Sequence, residues 1–431
     1  MKVLFISKKG LASNLARLIK KEGHEVLFFM ESKKLNNVFD GIVDKTNNWE
    51  NELDWVGKDG LIVFDDNGYG KKQDELRLQG YSVFGGCELA DKLEYDREFT
   101  QDIFNKYDIQ TRTVKSFKNL PDAISFITEN PTKWILKRDG DNSKFVTYAG
   151  ERDDARDVLE ILNNYAREEK LRDAPISIQE KAEGIEIGVG RYFNGKNFVG
   201  PIEMNLEHPR LFAGEIGPFT DEMGTVAWYT DKERRVYKET LAKIEPFLRE
   251  IDFRGDIGIN CIVNETDLVA LETTARIGCP IVHLQTEIHE SGWGEFMKAI
   301  ADQEDFILKW RKGAGVVFSI SVPPFPFEKH FDTDVCSGLT IYMDELSEKE
   351  QKHVHLDEVA YDKDEARYYI SKQTDGFVLY VTGFDNKVTK ARKHALSIIK
   401  KIKIPKMFYR IDIGEKFDKV DFKKLKKWGW I

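Results

Sequence analysis

The sequence predicts an α/β protein built from several lobes, and three observations predict it. Residues 1–29 follow a strand, helix, strand pattern, which favours a parallel sheet with helices on its faces. The stretch 176–204 is rich in predicted strands and contains Asn194–Gly195, a strong signal for a hairpin turn. From about residue 315 the pattern changes to apolar strands and a helix at 386–402. A chain of 431 residues has room for about three domains.

The first domain is expected to cover residues 1–90 and to contain a parallel sheet. Its buried strands are predicted at 3–6, 25–29, 61–64 and 81–86. Ligands bind such sheets at the carboxyl ends of the strands, which points to the loops at 7–10 and 65–70.

A different pattern begins near residue 90. It first predicts a helical stretch at 90–107, a junction at Pro121 and two strands around a polar loop at 133–150. A helix at 152–170 and a strand at 176–184 follow. After the strand-rich stretch come a helix at 231–250 and two apolar strands at 256–263 and 268–274. No internal repeat or low-complexity tract interrupts the order.

Composition excludes several classes of protein. Hydrophobic residues make up 41% and charged residues 32%, as in ordinary globular proteins. The net charge of −9 provides no general attraction for phosphates, so no nucleic-acid partner is expected. Four well-separated cysteines predict neither a disulfide framework nor a zinc site. The N-terminal apolar run is too short for a signal peptide or a membrane span, so we expect a cytoplasmic protein with no membrane partner.

The strongest candidate for chemistry is the strand segment LVALETTAR, 268–276. Glu272 and Thr274 are two residues apart and therefore share one strand face, and Asn260 lies on the neighbouring strand. Oxygen ligands of this kind suit Mg²⁺, or Mn²⁺, bound to nucleotide phosphates. From spacing alone the simpler alternative is favoured, in which Glu272 only forms an ion pair with Arg276.

A second candidate is a group of cations. Lys137 ends the strand WILK, Lys144 lies in the following loop, and Arg97 lies on the preceding helix. Together they could hold a polyphosphate. Taken singly, each is more often a solvated surface residue.

Two further segments carry weaker signals. Residues 179–186, QEKAEGIE, resemble a hinge that binds adenine through backbone groups, with Glu186 placed to accept from ribose hydroxyls. An acidic strand end is, however, usually only solvated. His208 has no evident serine or cysteine partner, so a nucleophilic triad is not predicted.

The order of these pieces resembles the glycinamide ribonucleotide synthetase (phosphoribosylamine–glycine ligase) family of the ATP-grasp superfamily, over nearly the whole chain. The resemblance is carried by residues 81–111, by the stretch HPRLFAGEIGPFTDEMG at 208–224, by LETTARIGCP at 271–280 and by YRIDIG at 409–414. It implies a Rossmann-like domain at 1–90, an ATP-grasp core at 91–318 with a lid at about 118–184, and a mixed C-terminal domain at 319–431.

The resemblance also implies roles for individual residues. Nucleotide contacts would come from Arg97, Lys137, Lys144, Gln179, Glu180, Lys181, Ala182 and Glu186. Glu272, Thr274 and Asn260 would hold the metal, with Thr274 in place of the family's asparagine. Arg276 and Lys137 would act on the transferred phosphate. The substrates would meet Gly10, Asp65, His208, Arg210, Gly217, Thr220 and Cys279.

Three segments depart from the family pattern, and all belong to the substrate side. The glycine-rich first loop reads SKKGLASNL and keeps only Gly10, Asp65–Asn67 replace a G-P-E loop, and Cys279–Ile281 replace D-P-E. The nucleotide side departs less, although the lid glycines are also reduced. The expected function is therefore ATP- and Mg²⁺-dependent joining of a small amino acid to a diverged amine, such as a phosphorylated sugar or a nucleotide, through an acyl phosphate.

Two alternatives remain open at this stage: a true phosphoribosylamine–glycine ligase of purine biosynthesis, and a non-catalytic ATP-binding homologue. The expected partners are small molecules, and the protein is expected to be a monomer or homodimer.

Overall fold

The structure is a computed structural model that describes residues 1–137, 147–327 and 335–431. It begins with a five-stranded parallel sheet in the order β3-β2-β1-β4-β5. The strands are β1 (Lys2–Ser7), β2 (Glu25–Met30), β3 (Asp44–Thr46), β4 (Leu61–Phe64) and β5 (Val83–Phe84), and the helices between them are α1 (Ser13–Lys21), α2 (Leu53–Val56) and α3 (Gly70–Leu78). Residues 3–6 and 61–64 are buried on both faces, which explains their unbroken apolar runs.

Two helices, α4 (Glu88–Tyr95) and α5 (Arg97–Lys106), lead from this sheet to the rest of the chain. The sequence predicts one continuous helical stretch here. The chain instead breaks at Asp96, which has extended backbone angles and whose side chain accepts a hydrogen bond from the N–H of Phe99 as the cap of α5.

A separate four-stranded antiparallel sheet in the order β6-β9-β7-β8 forms the lid. It contains β6 (Val114–Phe117), α6 (Leu120–Glu129), β7 (Trp134–Lys137), β8 (Tyr148–Ala149), α7 (Arg156–Tyr165), α8 (Glu169–Arg172) and β9 (Ile176–Glu180). The lid has its own apolar core around Trp134, Leu136 and Leu162. Lys144, predicted to contact phosphate, lies outside the described residues.

The largest element is an eight-stranded sheet in the order β16-β15-β10-β11-β14-β17-β22-β19. The remaining strands in chain order are β10 (Ile185–Asn194), β11 (Phe198–Glu207), β12 (Arg210–Phe212), β13 (Ile216–Phe219), β14 (Gly224–Thr230), β15 (Arg254–Val263), β16 (Leu268–Thr274), β17 (Ala314–Ser321), β18 (Thr340–Ile341), β19 (Val354–Leu356), β20 (Val359–Asp362), β21 (Arg367–Ile370) and β22 (Phe377–Asp385). β12 and β13 form a two-stranded sheet, and β18, β21 and β20 form a three-stranded one.

The remaining helices cover the sheets and close the chain. They are α9 (Arg235–Glu239), α10 (Glu245–Glu250), α11 (Ile281–Ile288), α12 (Trp293–Ala301), α13 (Glu348–Gln351), α14 (Val388–Ile399) and α15 (Phe422–Lys427). No described helix is long and apolar enough to cross a membrane.

Three features predicted from the sequence, a hairpin, a helix and a domain boundary, differ in how they agree with the structure. The hairpin at Asn194–Gly195 is confirmed: β10 pairs antiparallel with β11, and Gly195 has φ +84°, which favours glycine. The single helix predicted at 231–250 is wrong, because a 3₁₀ turn at Leu241–Ile244 separates α9 from α10. The domain boundary proposed at 318 falls inside β17, whose hydrogen-bonded neighbours are β14 and β22, so the main sheet runs across it.

Candidate active site

One end of the main sheet carries the residues that the sequence singled out for a metal. Glu272 and Thr274 point to the same face of β16, while Thr273 between them is buried on the other face. Asn260 lies directly opposite Glu272 in the register of β15 with β16. The strand alternation therefore brings the three candidate oxygen ligands together.

The lid reaches this group through Lys137. Its Nζ lies 3.3 Å from Oε2 of Glu272, so the ion pair joins β7 to β16. The positive charge of Lys137, assisted by that of Arg97, lowers the pKa of Glu272, which keeps the carboxylate ionised. The simpler alternative, in which Glu272 pairs with Arg276, is not what the structure shows.

Arg276 is instead held by two carboxylates from the N-terminal half. Its Nε lies 2.9 Å from Oε1 of Glu94 and 3.6 Å from Oδ1 of Asp66. Although burial opposes the charge, these carboxylates raise the pKa of Arg276 above its usual value. Arg276 also lines three separate cavities, one beside Arg97, one on the face of the main sheet and one beneath the N-terminal sheet.

Glu186 and Glu207 lie close enough to Glu272 for their carboxyl groups to interact with it. Burial, and then the charge of Glu272, raises the pKa of Glu186 to about 7. Burial, and then the charge of Glu186, raises the pKa of Glu207 to about 8, although Glu207 accepts a hydrogen bond from Nδ2 of Asn260 at 3.2 Å. A cation placed among these groups would relieve their repulsion.

The donor set fits a divalent cation shared with a phosphate. Glu272, Thr274 and Asn260 supply oxygens, whereas the described residues contain no group of three or more His, Cys, Asp or Glu side chains arranged to hold a metal on their own. Mg²⁺ is typically bound in this way, by one or two carboxylates together with substrate phosphates and water.

The predicted adenine hinge, residues 179–182, lies at the end of β9 where the lid joins the main sheet. Two of its backbone N–H groups are already used: that of Glu180 donates to the carbonyl of Thr113, and that of Lys181 donates to the carbonyl of Lys133. Adenine recognition would therefore fall to the other backbone groups of the hinge.

Of the predicted substrate residues, His208 is already engaged. It is buried, its Nδ1 lies 3.2 Å from the carbonyl of Gly224, and its Nε2 accepts from the N–H of Gly414 at 3.2 Å. Burial, followed by the charge of Arg410, lowers the pKa of His208 to about 4, so the ring is neutral. His208 thus ties the turn before β14 to the C-terminal segment.

Arg210, Gly217 and Thr220 shape the β12–β13 hairpin. Arg210 donates to the carbonyl of Gly217 at 2.8 Å, and the hydroxyl of Thr220 donates to the carbonyl of Pro209 at 2.8 Å. None of these three residues, nor His208, lines the three cavities that Arg276 borders. The next residues in the same motif, Asp221 and Glu222, line two of those cavities.

Gly10 and Asp65 organise the first loop. The N–H of Gly10 donates to Oγ of Ser7 at 2.8 Å, and Ser7 in turn donates to Oδ2 of Asp65 at 2.8 Å. Burial, and then the charge of Asp66, raises the pKa of Asp65 to about 7. The neighbours of Gly10, Lys9 and Leu11, line the cavity beneath the N-terminal sheet, whereas Gly10 and Asp65 themselves do not.

That cavity, of about 590 Å³, is the largest of the three that Arg276 borders and lies where the N-terminal sheet, the main sheet and the C-terminal part meet. Cys279 lines it, with its Sγ 3.6 Å from the hydroxyl of Tyr380. Seven carboxylates line it, from Asp66, Glu94, Asp221, Glu222, Asp357, Glu358 and Asp375, against four cations, from Lys9, Lys34, Arg97 and Arg276. We call it the acceptor chamber.

Several acidic residues of the site were missed from the sequence. Glu94 holds Arg276, and Glu203 and Asp256 line the cavity on the face of the main sheet. A signal for the last two was present. Polar residues alternate in the otherwise apolar strands as Glu203, Asn205, Glu207 and as Asp256, Gly258, Asn260, which is the pattern of one polar strand face.

Comparison with known proteins agrees with this geometry. Residues 95–280 match the family model of the phosphoribosylglycinamide synthetase ATP-grasp (A) domain. Phosphoribosylamine–glycine ligase from Listeria monocytogenes serotype 4b (strain F2365) is 26% identical over 361 residues, covering 80% of each chain. The enzyme of the same name from Lactococcus lactis subsp. lactis (strain IL1403) is 24% identical over 347 residues, covering 78% of each chain.

Solved structures show the same fold. Phosphoribosylamine–glycine ligase from Thermotoga maritima has a TM-score of 0.72 at 19% identity and covers 96% of this chain and 100% of its own. Biotin carboxylase from Campylobacter jejuni has a TM-score of 0.68 at 11% identity, covering 99% and 98%.

These comparisons show the ATP-grasp fold, as predicted, and the relatives they find are ligases that form carbon–nitrogen bonds. Within that class, residues 95–280 form an ATP-grasp domain of the phosphoribosylglycinamide synthetase type, which confirms the resemblance stated from the sequence.

Proposed function

We propose that the protein is an ATP-dependent carboxylate–amine ligase of the phosphoribosylamine–glycine ligase type. It joins an amino acid to an amine through an acyl phosphate and releases ADP and phosphate. The observation that carries the proposal is the position of Arg276, which borders the nucleotide-side cavity beside Arg97, the cavity on the sheet face and the acceptor chamber.

Different residues bind the nucleotide, orient the substrate carboxylate and hold the metal. Lys137 and Arg97 bind the triphosphate, and Glu186 accepts from the ribose. Arg276 orients the attacking carboxylate beside the γ-phosphate, and it stays charged because Glu94 and Asp66 support it. Glu272, Thr274 and Asn260 would hold Mg²⁺, which neutralises charge on the phosphates during transfer.

The acyl phosphate is then attacked by an amine from the acceptor chamber. No protein nucleophile takes part, so positioning and electrostatic stabilisation account for the rate. The C–O bond to phosphate breaks, the C–N bond forms, and the amine loses a proton.

The acceptor chamber favours an amine with little anionic charge. Seven acidic and four basic side chains line it, and two of the basic ones already form ion pairs with lining carboxylates: Lys34 with Asp375, and Arg276 with Glu94 and Asp66. The lining therefore has no excess of positive charge to attract the nucleotide or phosphorylated sugar that was expected from the sequence. We therefore include in the proposal an amine without a phosphate group.

The test is ADP release from MgATP with amino acids crossed against amines, including phosphoribosylamine, with products identified by mass spectrometry. Turnover with an amine that lacks a phosphate supports the proposal, and Glu272→Gln serves as the inactive control. Efficient synthesis of glycinamide ribonucleotide would show a true phosphoribosylamine–glycine ligase, which the relatives named above favour equally. ATP binding without ADP release for any pair would show a non-catalytic homologue.

A further inference from the structure

The cavity on the face of the main sheet is built from alternating residues of neighbouring strands. Glu203, Asn205 and Glu207 of β11 share one face, as do Asp256, Gly258 and Asn260 of β15. β10 lies between these strands and contributes Gly190, while Arg276 borders one end. We call this the sheet-face cavity.

Acidic side chains dominate the lining of the sheet-face cavity. Six carboxylates line it, from Glu203, Glu207, Asp221, Glu222, Asp256 and Glu272, and the single cationic side chain in its lining is Arg276. Only the end near Glu272 belongs to the candidate metal site. Glu203 and Asp256 are 5% and 7% exposed and lie at the far end, where metal and phosphate binding do not account for them.

Hydrogen bonds hold the Glu203 side chain in place at the far end of the cavity, on the side that we call the far wall. Oε1 of Glu203 accepts from Nδ2 of Asn205 at 2.9 Å, and Oε2 accepts from Nε2 of Gln285 at 2.6 Å. The hydroxyl of Tyr192 in turn donates to Oε1 of Gln285 at 2.6 Å. These contacts fix the Glu203 carboxylate at the cavity wall.

One polar atom of this wall is left without a partner. Asn205 is 8% exposed, and its Oδ1 accepts no hydrogen bond from any described residue. A buried acceptor without a donor costs free energy. An ammonium group in the cavity would supply the missing donor and balance the carboxylates.

The sheet-face cavity is larger than glycine requires. Its volume of about 170 Å³ corresponds to roughly ten water sites. Two glycines leave this room open, since a Cβ added at Gly190 or Gly258 would meet its neighbours only at 3.5 Å or more. Larger residues would fit the backbone at both positions and would fill the space.

We infer that the sheet-face cavity binds the carboxylate substrate, and that this substrate is a basic amino acid such as lysine or ornithine. The inference rests on the proposed function and specifies its substrate. The substrate carboxylate lies at Arg276, next to the nucleotide side. Its side-chain ammonium lies between Glu203 and Asp256 and donates to Asn205.

The first experiment uses the unaltered protein with Mg²⁺ and a non-hydrolysable ATP analogue, and measures binding of L-lysine, L-norleucine and glycine by calorimetry. Norleucine matches lysine in length but lacks the ammonium group. Lysine should bind at least about tenfold more tightly than norleucine. Equal affinities, or tighter binding of glycine, would overturn the inference without any variant being made.

The second experiment alters the cavity. Asp256→Asn removes one of the two carboxyl groups that face the ammonium and Gly258→Val fills the space, and each should weaken lysine binding at least about tenfold while leaving affinity for the ATP analogue unchanged. Gly258→Ala is a milder version if the valine variant folds poorly. Asp231→Asn, at an exposed position after β14, is the matched control and should bind lysine normally. Normal lysine binding by folded Asp256→Asn and Gly258→Ala proteins would refute the assignment.

ADP release separates this inference from the proposed function. Turnover with glycine but not with lysine would mean that the ligase assignment holds and the inference is wrong. Specific lysine binding without ADP release for any amine would leave the binding site standing and overturn the ligase assignment.

Discussion

Glu272 and Lys137 form the closest charged contact between the lid and the main sheet at the site, and each depends on the other. Lys137 keeps Glu272 ionised, and Glu272 places the lysine ammonium at the mouth of the nucleotide side. Removing either charge therefore has two effects: one group is lost, and its partner is left unpaired in a partly buried position.

Glu272→Gln should abolish Mg²⁺-dependent turnover and leave the fold intact. Loss of the anionic ligand weakens the hold on the cation, and we expect a decrease in kcat of about a hundredfold or more. Steady-state ADP release over a range of Mg²⁺ concentrations measures it, with Glu265→Gln in the exposed turn before β16 as control. An unchanged rate would remove Glu272 from the site.

Lys137→Ala should weaken ATP binding by about tenfold or more, because a charged hydrogen bond to the triphosphate is lost. Lys133→Ala is the matched control: it lies four residues earlier and pairs with Glu183 and Asp153 instead of Glu272. Calorimetric titration of ATP into both variants tests the assignment, which wild-type affinity of Lys137→Ala would contradict.

At the scale of the elements, His208 shows how a recognised motif can serve structure. Both ring nitrogens contact backbone groups, one at the start of β14 and one in the C-terminal segment. The motif around His208 thus helps to position Asp221 and Glu222, which line the sheet-face cavity and the acceptor chamber.

His208→Ala should lower the free energy of unfolding by about 1–3 kcal/mol, since the N–H of Gly414 loses its buried acceptor and the carbonyl of Gly224 loses its contact with the ring, keeping only the backbone N–H of residue 208. KM values for ATP and the amino acid should stay unchanged. Chemical denaturation together with steady-state kinetics tests this, with the exposed His394→Ala as control. A large rise in the amino-acid KM at normal stability would restore the role in substrate binding that the resemblance implies.

Local patterns predicted the elements better than the site. Apolar runs located the strands of the N-terminal sheet, and two-residue spacing placed Glu272 beside Thr274. The convergence of Glu203 with Asp256 could not be read in the same way, because their strands are separated by β10 and meet only through its register with both. The sequence shows the alternation of polar residues within each strand. It does not show which strands lie side by side, and it is this pairing that makes one polar face of the sheet.

Family motifs had the opposite weakness. They assigned substrate contacts to Arg210 and Thr220, but gave no sign that these side chains also donate to the carbonyls of Gly217 and Pro209. Sequence shows which residue type occupies a position, whereas its hydrogen-bond partners depend on the folded backbone.

Across the whole molecule, buried carboxylates make stability sensitive to pH near neutrality. Burial is the main cause that raises the pKa of Asp65 and Asp256 to about 7 and that of Glu358 to about 8. In the unfolded chain these groups lose their protons near pH 4. Between those values the folded state binds more protons than the unfolded state, so stability falls as pH rises.

Other buried groups act in different pH ranges. Burial lowers the pKa of His208 and His355 to about 4, which makes stability rise with pH, but only up to the ordinary histidine value near 6.5. Burial alone would raise the pKa of Glu287, but His353 and His355 lower it to about 2. Glu287 therefore loses its contribution to stability only in acid. Above pH 6.5 the raised carboxylates therefore dominate.

Without ligands, the free energy of unfolding should decrease between pH 6.5 and pH 8, by about 3 kcal/mol from Asp65, Asp256 and Glu358 together and further from Glu186 and Glu207, whose pKa values lie in the same range. Of the first three, Glu358 contributes most because its pKa is the highest. Urea denaturation at a series of pH values measures the change, and Glu358→Gln should reduce the decrease by about 1.5 kcal/mol, since glutamine cannot lose a proton there. Asp364→Asn, at an exposed turn, should leave the curve unaltered. Stability that stays constant or rises over this interval would show that these carboxylates are already ionised in the folded protein, because an ionised group binds no extra proton on folding and gives no slope.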